Sequence, residues 1–275
     1  MITEMLEKIS DMSASFQQVT EDIVLLRFKI VNAIMIGSVK NENSDWVLID
    51  TALRSSADEI IECAEKFFGK DKAPKCIILT HGHFDHVGSV VELANHWNVS
   101  IYAHELELPY LTGKSDYPKG DPSVDKGIVA KMSEFFPNKS INLDGKIKEL
   151  PKDGTVPNLS EWRYINTPGH TPGHISLFRE RDRVLIVGDA FTTVRQESLF
   201  SVLTQNKEVN GPPAYFTTDW DASKASVKKL AELRPAIIIP SHGDPMNGEE
   251  IGPYLKGLVE NFDKKAIPEE GRFVK

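Results

Sequence analysis

The sequence predicts an α/β protein in which two β-sheets carry helices on their outer sides, built as one domain over residues 1–275. Three observations lead there. Short runs rich in Val and Ile recur towards both ends of the chain, stretches of helical length lie among them, and neither an internal repeat nor a low-complexity linker interrupts the series. With 275 residues the chain can bury a sizeable core without staples. Its two cysteines, Cys63 and Cys76, form no C-x-x-C pair, so neither a disulfide scaffold nor a cysteine zinc cluster is available.

Taken in order, Val24–Phe28, Ile30–Val39 and Trp46–Thr51 read as strands separated by polar breaks. Ser56 and Glu59 have the spacing of a capping box, opening a helix over 57–68 that Gly69 ends. Cys76–Leu79 reads as a buried strand, Val87–Trp97 as a helix and Val99–Ala103 as another strand. Residues 104–136 read as helical apart from a break at Gly113–Pro122. Strands return between Ile147 and Val187, with a hairpin made of Ile175–Phe178, a polar tip at Arg179–Arg183, and Val184–Val187. A long loop over 190–218 follows, centred on Gly211-Pro212-Pro213 and of a length that suits binding. Asp221–Leu233 reads as a helix, Ala236–Ile239 as a strand and Glu249–Lys265 as the last helix.

Charge narrows the function. Forty Asp and Glu against 32 Lys and Arg leave a net charge of -8, which disfavours a partner made of phosphates. No stretch approaches the roughly 18 uninterrupted apolar residues of a membrane helix. The opening residues MITEMLEKISDMS lack a basic region followed by an apolar core, so a cytoplasmic protein acting on a small molecule is expected, with no nucleic acid and no membrane as partner.

The chemistry is carried by Thr80-His81-Gly82-His83-Phe84-Asp85-His86, directly after a buried strand. On extended backbone, residues two apart point to one side, so His81 and His83 can converge on a metal ion. Asp85 and His86, at the turn into the next helix, can face a second ion. Four further groups sit where apolar strands give way to irregular chain: His170 and His174 in Thr167–His174, Asp189 in Val187–Ala190, and His242 in Pro240–Gly243. Asp50 ends another strand.

The order H-x-H-x-D-H, P-G-H, G-D, S-H-G resembles the ligand set of the metallo-β-lactamase-fold hydrolases, in particular their glyoxalase II and lactonase-like branches, and the similarity covers nearly the whole chain. The resemblance implies a four-layer αββα sandwich of two mixed sheets with helices on the outer faces. It implies two divalent metal ions, zinc first, with iron or manganese also suited to imidazole and carboxylate ligands. His81, His83 and His170 would bind metal 1, and Asp85, His86 and His242 metal 2, with Asp189 bridging. Asp50 would orient a ligand without touching an ion, and His174 would play a supporting rather than a ligating part. A water shared by two ions has its pKa lowered from about 15.7 towards neutrality, which yields a hydroxide able to attack a carbonyl. Asp85 would orient that nucleophile, so no serine or cysteine nucleophile is required.

Departures from particular branches select the reaction. Common zinc β-lactamases carry a cysteine where Asp189 stands and lack the Asp85-His86 adjacency. Glyoxalase II enzymes carry a basic, tyrosine-containing stretch after the bridging aspartate, where this chain has Phe191–Ser198. Quorum-signal lactonases place a tyrosine three residues beyond that aspartate, where this chain has Thr192. Ribonuclease Z-like enzymes need a basic arm for RNA. Hydrolysis of a small ester, lactone or thioester is therefore expected, with Phe191, Arg195, Tyr215 and Phe216 as candidate substrate contacts. The alternatives are a mononuclear-iron sulfur dioxygenase and a non-catalytic, metal-containing binding or regulatory protein.

Overall fold

In the computed structural model, residues 14–39, 44–197 and 209–275 are described. The chain forms two compact units, one of residues 1–117 and 139–160, the other of residues 118–138 and 161–275. Each contains one sheet.

The first unit holds seven strands in the order β1 to β7: β1 Ser15–Thr20, β2 Ile23–Arg27, β3 Asn32–Gly37, β4 Trp46–Ile49, β5 Ile77–Ile78, β6 Ile101–Ala103 and β7 Ile147–Glu149. Strands β1 to β4 pair antiparallel, whereas β4, β5, β6 and β7 pair parallel. The parallel half needs crossovers, and helices supply the chain between β4, β5 and β6. Helix α1, Ala57–Phe68, buries Ala57, Ile60, Cys63, Ala64 and Phe68, the 3- and 4-residue spacing of a single apolar stripe. Its first turn carries Asp58 and Glu59 and its last turn Lys66, each sign favoured by the helix dipole at that end. Phe68 stacks on Trp46 at 4.7 Å, tying the helix to β4. After β5 come α2, Phe84–Val87, and α3, Val90–His96, and after β6 a 3-10 turn, Glu105–Glu107, leads into α4, Leu108–Leu111.

The second unit holds five strands, in the spatial order β12-β11-β10-β9-β8: β8 Trp162–Asn166, β9 Ile175–Arg179, β10 Val184–Gly188, β11 Ile237–Pro240 and β12 Met246–Asn247. The β10–β11 pair is parallel and the rest antiparallel, so this sheet too is mixed. Its helices are α5 Ile128–Met132, α6 Trp220–Glu232, α7 Ile251–Glu260 and α8 Phe262–Lys265. Val227 and Leu230 of α6 and Leu255 and Leu258 of α7 join Leu185, Val187 and Ile238 in one buried apolar cluster.

The α/β class, with two mixed sheets and helices, is as the sequence predicts, while several elements differ. Strand β1 was not expected: its sequence SFQQVT has no apolar alternation, and it is held as an edge by its ladder to β2. No capping box forms, because Ser56 has φ -88° and ψ 5° instead of an extended backbone and its hydroxyl makes no cap bond. The helix expected over 87–97 is split at Gly88-Ser89. Residues 104–136 hold only short turns. Leu108–Leu111, which accommodates Pro109 in its first turn, and Ile128–Met132 are single turns at either end. The last helix breaks at Asn261. Of the loop expected over 190–218, the central part lies outside the described residues; its ends are joined by a bridge between Thr192 and Asn210, and a 3-10 turn spans Ala214–Phe216.

Both thiols are buried. Burial pushes Cys63 up to about 12 and Cys76 up to about 11 from an ordinary 9.0. A raised folded-state pKa contributes stability that is complete below the unfolded value and lost as pH rises towards the folded value. The thermal midpoint is therefore expected to fall as pH rises from 9 towards 11, and less so in a Cys63→Ala, Cys76→Ala variant. At pH 8 an aromatic disulfide reagent is expected to label neither thiol until the protein is unfolded.

Candidate functional site

In the first unit the site residues gather where parallel strands end. Strands β4 and β5 run in the same direction, with Ile49 opposite Ile78, so the segments leaving their carboxyl ends emerge at one sheet edge. Asp50 leaves β4 there, and Thr80 to His86 leave β5. The Asp50 amide still donates to the Ile78 carbonyl at 2.9 Å, but its φ of 57° turns the chain sharply. Few side chains tolerate that left-handed region, and Asp is among them.

The turn aims the Asp50 carboxylate back at the β5 segment. Its Oδ1 accepts from the Thr80 amide at 2.8 Å, and its Oδ2 accepts from the Thr80 hydroxyl at 2.7 Å and from His86 Nδ1 at 2.9 Å. All three residues are buried. Because the Thr80 hydroxyl donates to Asp50, its oxygen accepts from His81 Nδ1, 3.1 Å away. One carboxylate therefore assigns two imidazoles, His86 directly and His81 through Thr80. In both, Nδ1 is the donor, which leaves Nε2 as the nitrogen available to a metal ion.

His81 Nε2 lies 3.0 Å from His83 Nδ1, and the His81 and His86 rings stand 4.0 Å apart between centroids. Asp85 Oδ1 lies 3.9 Å from His86 Nε2. The single turn α2 places Asp85 and His86 here, its first bond running from the His86 amide to the His83 carbonyl at 2.9 Å. The Thr51 amide and hydroxyl both donate to the His86 carbonyl, at 2.8 and 2.9 Å. Thus His81, His83, Asp85 and His86 come together within this unit, with Asp50 and Thr80 behind them.

The second unit repeats the device with different strands. Strands β8, β10 and β11 all point the same way, because β9 runs antiparallel to both β8 and β10 while β10 and β11 are parallel. His170, Asp189 and His242 follow the carboxyl ends of β8, β10 and β11 respectively, and all three are buried. Asp189 Oδ2 stands between the two histidines, 3.3 Å from His170 Nε2 and 3.2 Å from His242 Nε2. The Thr217 hydroxyl donates to the Pro213 carbonyl at 2.9 Å, so its oxygen accepts from His170 Nδ1 at 3.2 Å. A neutral His170 then presents its Nε2 lone pair to a carboxylate oxygen. That pairing is favourable when a cation lies near both.

His174 is used differently. Its Nε2 accepts the Asp189 amide hydrogen at 2.8 Å, and its Nδ1, left as the donor, lies 3.2 Å from the Thr167 carbonyl. Both ring nitrogens are engaged in holding the chain beside Asp189. Gly188 makes this approach feasible: its φ is 62°, and a Cβ there would run into the His174 ring.

The expected substrate contacts divide. Phe191 has no exposed surface and lies in the apolar core of the second unit. The Arg195 side chain is half exposed and ion-paired with Asp125 at 2.5 Å. Tyr215 and Phe216, in the 3-10 turn just before Thr217, are buried and lie 5.8 and 6.1 Å from the Phe136 ring.

Four residues with a place in these arrangements had not been singled out: Thr80, Thr217, Glu107 and Tyr117. Thr80 sits within the quoted string, but a hydroxyl gives no sign of which carboxylate it will meet. Glu107 and Tyr117 lie 25 and 35 residues beyond Gly82, whose amide donates to both at 3.1 and 3.0 Å. Burial and the neighbouring Glu107 push the Tyr117 phenol well above 10, so it remains an O–H donor, and it donates to Glu107 Oε2.

The seven candidate ligands are imidazoles and carboxylates, the donor types that suit zinc, iron and manganese. A model of the metallo-beta-lactamase superfamily matches residues 26–242. This chain belongs to that superfamily. Within it, the chain is 48% identical over 237 residues to the probable metallo-hydrolase YflN of Bacillus subtilis, covering 86% of this chain and 89% of that protein. It is 30% identical over 133 residues to the hydroxyacylglutathione hydrolase GloC of Haemophilus influenzae, covering 48% of this chain and 56% of that one. Among solved structures, a B3 metallo-beta-lactamase with an active-site glutamic acid shares the fold with a TM-score of 0.62 at 19% identity, covering 96% of this chain and 94% of that one. The superfamily protein ST1585 of Sulfolobus tokodaii does so with a TM-score of 0.59 at 19% identity, covering 88% and 84%. The chain is thus a superfamily metallo-hydrolase with histidine and aspartate donors suited to divalent metal. Among the described residues, no helix is long and apolar enough to cross a membrane.

Proposed function

We propose that this metallo-hydrolase cleaves the acyl bond of a small ester, lactone or thioester, using two divalent ions, zinc first. His81, His83 and His170 hold one ion, Asp85, His86 and His242 the other, and Asp189 contributes to both. When bound, the ions supply Lewis acidity, polarising a carbonyl and lowering the pKa of water towards neutrality.

The observation that carries this reading is the commitment of the far ring nitrogens. His81, His86 and His170 each direct Nδ1 at a neighbour that accepts a hydrogen, through Thr80, Asp50 and Thr217, which leaves Nε2 as the ligating atom. Asp85 keeps a carboxylate able to accept a hydrogen bond from the attacking water and so to orient it. Asp50 and His174 hold the ligand-bearing segments. Arg195, Tyr215 and Phe216 are the proposed substrate contacts; Phe191, also expected to touch substrate, has no exposed surface and lies in the apolar core. The activity named for the Haemophilus influenzae relative, hydrolysis of an acylglutathione, is a further support for acyl-bond chemistry. The acidic balance of -8 favours a small substrate over RNA.

Metal analysis of the purified protein is expected to find close to two equivalents of zinc, iron or manganese. A panel of aryl ester, lactone, thioester, phosphodiester and β-lactam is expected to show turnover on the first three. Oxygen consumption with a persulfide, without hydrolysis, would replace this reading by the sulfur dioxygenase. A tight complex with no turnover across the panel would replace it by a binding role.

A further inference from the structure

We propose that Glu107 and Tyr117 are positioning residues, which grip the Gly82 amide and so set the angle at which His81 and His83 present their ring nitrogens to a metal ion. This rests on the reading of His81 and His83 as ligands. Gly82 is the only residue between those two histidines, and its two peptide planes determine where both rings point. Its amide hydrogen is shared between Glu107 Oε2 at 3.1 Å and Tyr117 Oη at 3.0 Å, and Tyr117 Oη donates to that same Oε2. The three groups close a small ring of hydrogen bonds in a buried setting, Glu107 having no exposure and Tyr117 5%.

The grip is tight on every side. The Tyr117 ring packs against His83 with centroids 4.5 Å apart and is stacked on Tyr110 at 4.0 Å, so the phenol cannot swing away. A Cβ on residue 82 would meet Tyr117 Oη at 2.7 Å and Leu111 Cδ2 at 2.9 Å, so any side chain there would displace one of them. Residues that hold ligands in this way typically change metal affinity by about 10- to 100-fold.

The test is zinc titration against a chromophoric chelator for the wild-type chain, Tyr117→Phe, Glu107→Gln and the control Tyr110→Phe, with the visible spectrum of each cobalt-loaded form. Tyr117→Phe keeps the ring on His83 but removes the hydroxyl, and Glu107→Gln keeps the shape but removes the charge. Both are expected to weaken one of the two zinc equivalents by about 10-fold or more, to leave the other near its wild-type value, and to shift the cobalt bands. Tyr110→Phe is expected to change neither. Wild-type affinity at both sites in both variants overturns the grip while leaving the ligand reading intact. A wild-type chain that takes up no zinc overturns the two together. Should Tyr117→Phe fail to fold, Glu107→Gln decides by the same comparison.

Discussion

His83→Ala is expected to abolish hydrolysis of an aryl ester or lactone and to lower the bound metal from two equivalents towards one. His83 is buried, its Nδ1 is 3.0 Å from His81 Nε2, and its peptide is fixed by Gly82 on one side and by the turn into α2 on the other. Alanine leaves the backbone in place and removes the whole imidazole, the nitrogen that would bind metal together with the ring that packs on Tyr117. Charge stabilisation by a bound divalent ion is worth several kcal/mol in the transition state, so losing about 4 kcal/mol lowers kcat/KM roughly 1,000-fold. His96→Ala, at the exposed end of α3, is the control and is expected to leave rate and metal content unchanged. Full activity in His83→Ala would defeat the hydrolytic assignment of this residue.

Asp50→Ala is expected to damage both stability and metal binding. Three donors lose their acceptor: the Thr80 amide, the Thr80 hydroxyl and His86 Nδ1, all buried. A buried donor left unsatisfied costs about 1–3 kcal/mol, and alanine adds about 1 kcal/mol for the left-handed backbone at φ 57°. A loss of about 4 kcal/mol or more in the metal-free protein, measured by urea unfolding with chelator present, is the expected outcome. Zinc affinity is expected to fall by about 10- to 100-fold, because His86 is freed to rotate and His81 loses the Thr80 relay. Asp50→Asn keeps the backbone preference and part of the acceptor capacity, so its stability loss is expected to be smaller while its metal affinity still drops. Unfolding within 0.5 kcal/mol of wild type in Asp50→Ala, a typical surface-mutation effect, would rule out the tether.

The candidate site was legible in the sequence to an unusual depth because its donors are local in pattern. His81, His83, Asp85 and His86 fall within six positions, and His170, Asp189 and His242 each directly follow an apolar strand or its turn. Residue type and strand ends suffice to nominate them. Asp50 was reachable by the same reasoning. The regular elements with a strong apolar signal, the stripe of α1 and the unbroken apolar run of β10, were legible too. Elements held by something other than their own pattern were not. Strand β1 is polar and owes its form to the ladder with β2, and the stretch over 104–136 keeps only single turns of the helix its residue types suggest.

By itself the sequence nominated the side chains whose chemistry suits a metal and the strand ends that would carry them, since that follows from residue type and short-range spacing. The order of the histidine and aspartate motifs, through the resemblance it carries, already pointed to a metallo-hydrolase. Only the tertiary structure decided how each ligand is held. Thr80 meets Asp50 across 30 residues, His170 meets Thr217 across 47, and Gly82 meets Tyr117 across 35. It also decided that His174 spends both nitrogens on the chain beside Asp189, and that Phe191 lies in the core. A hydrogen bond depends on distance and angle in space, and a hydroxyl, an amide or a phenol acquires its partner only when the sheets have brought remote segments together.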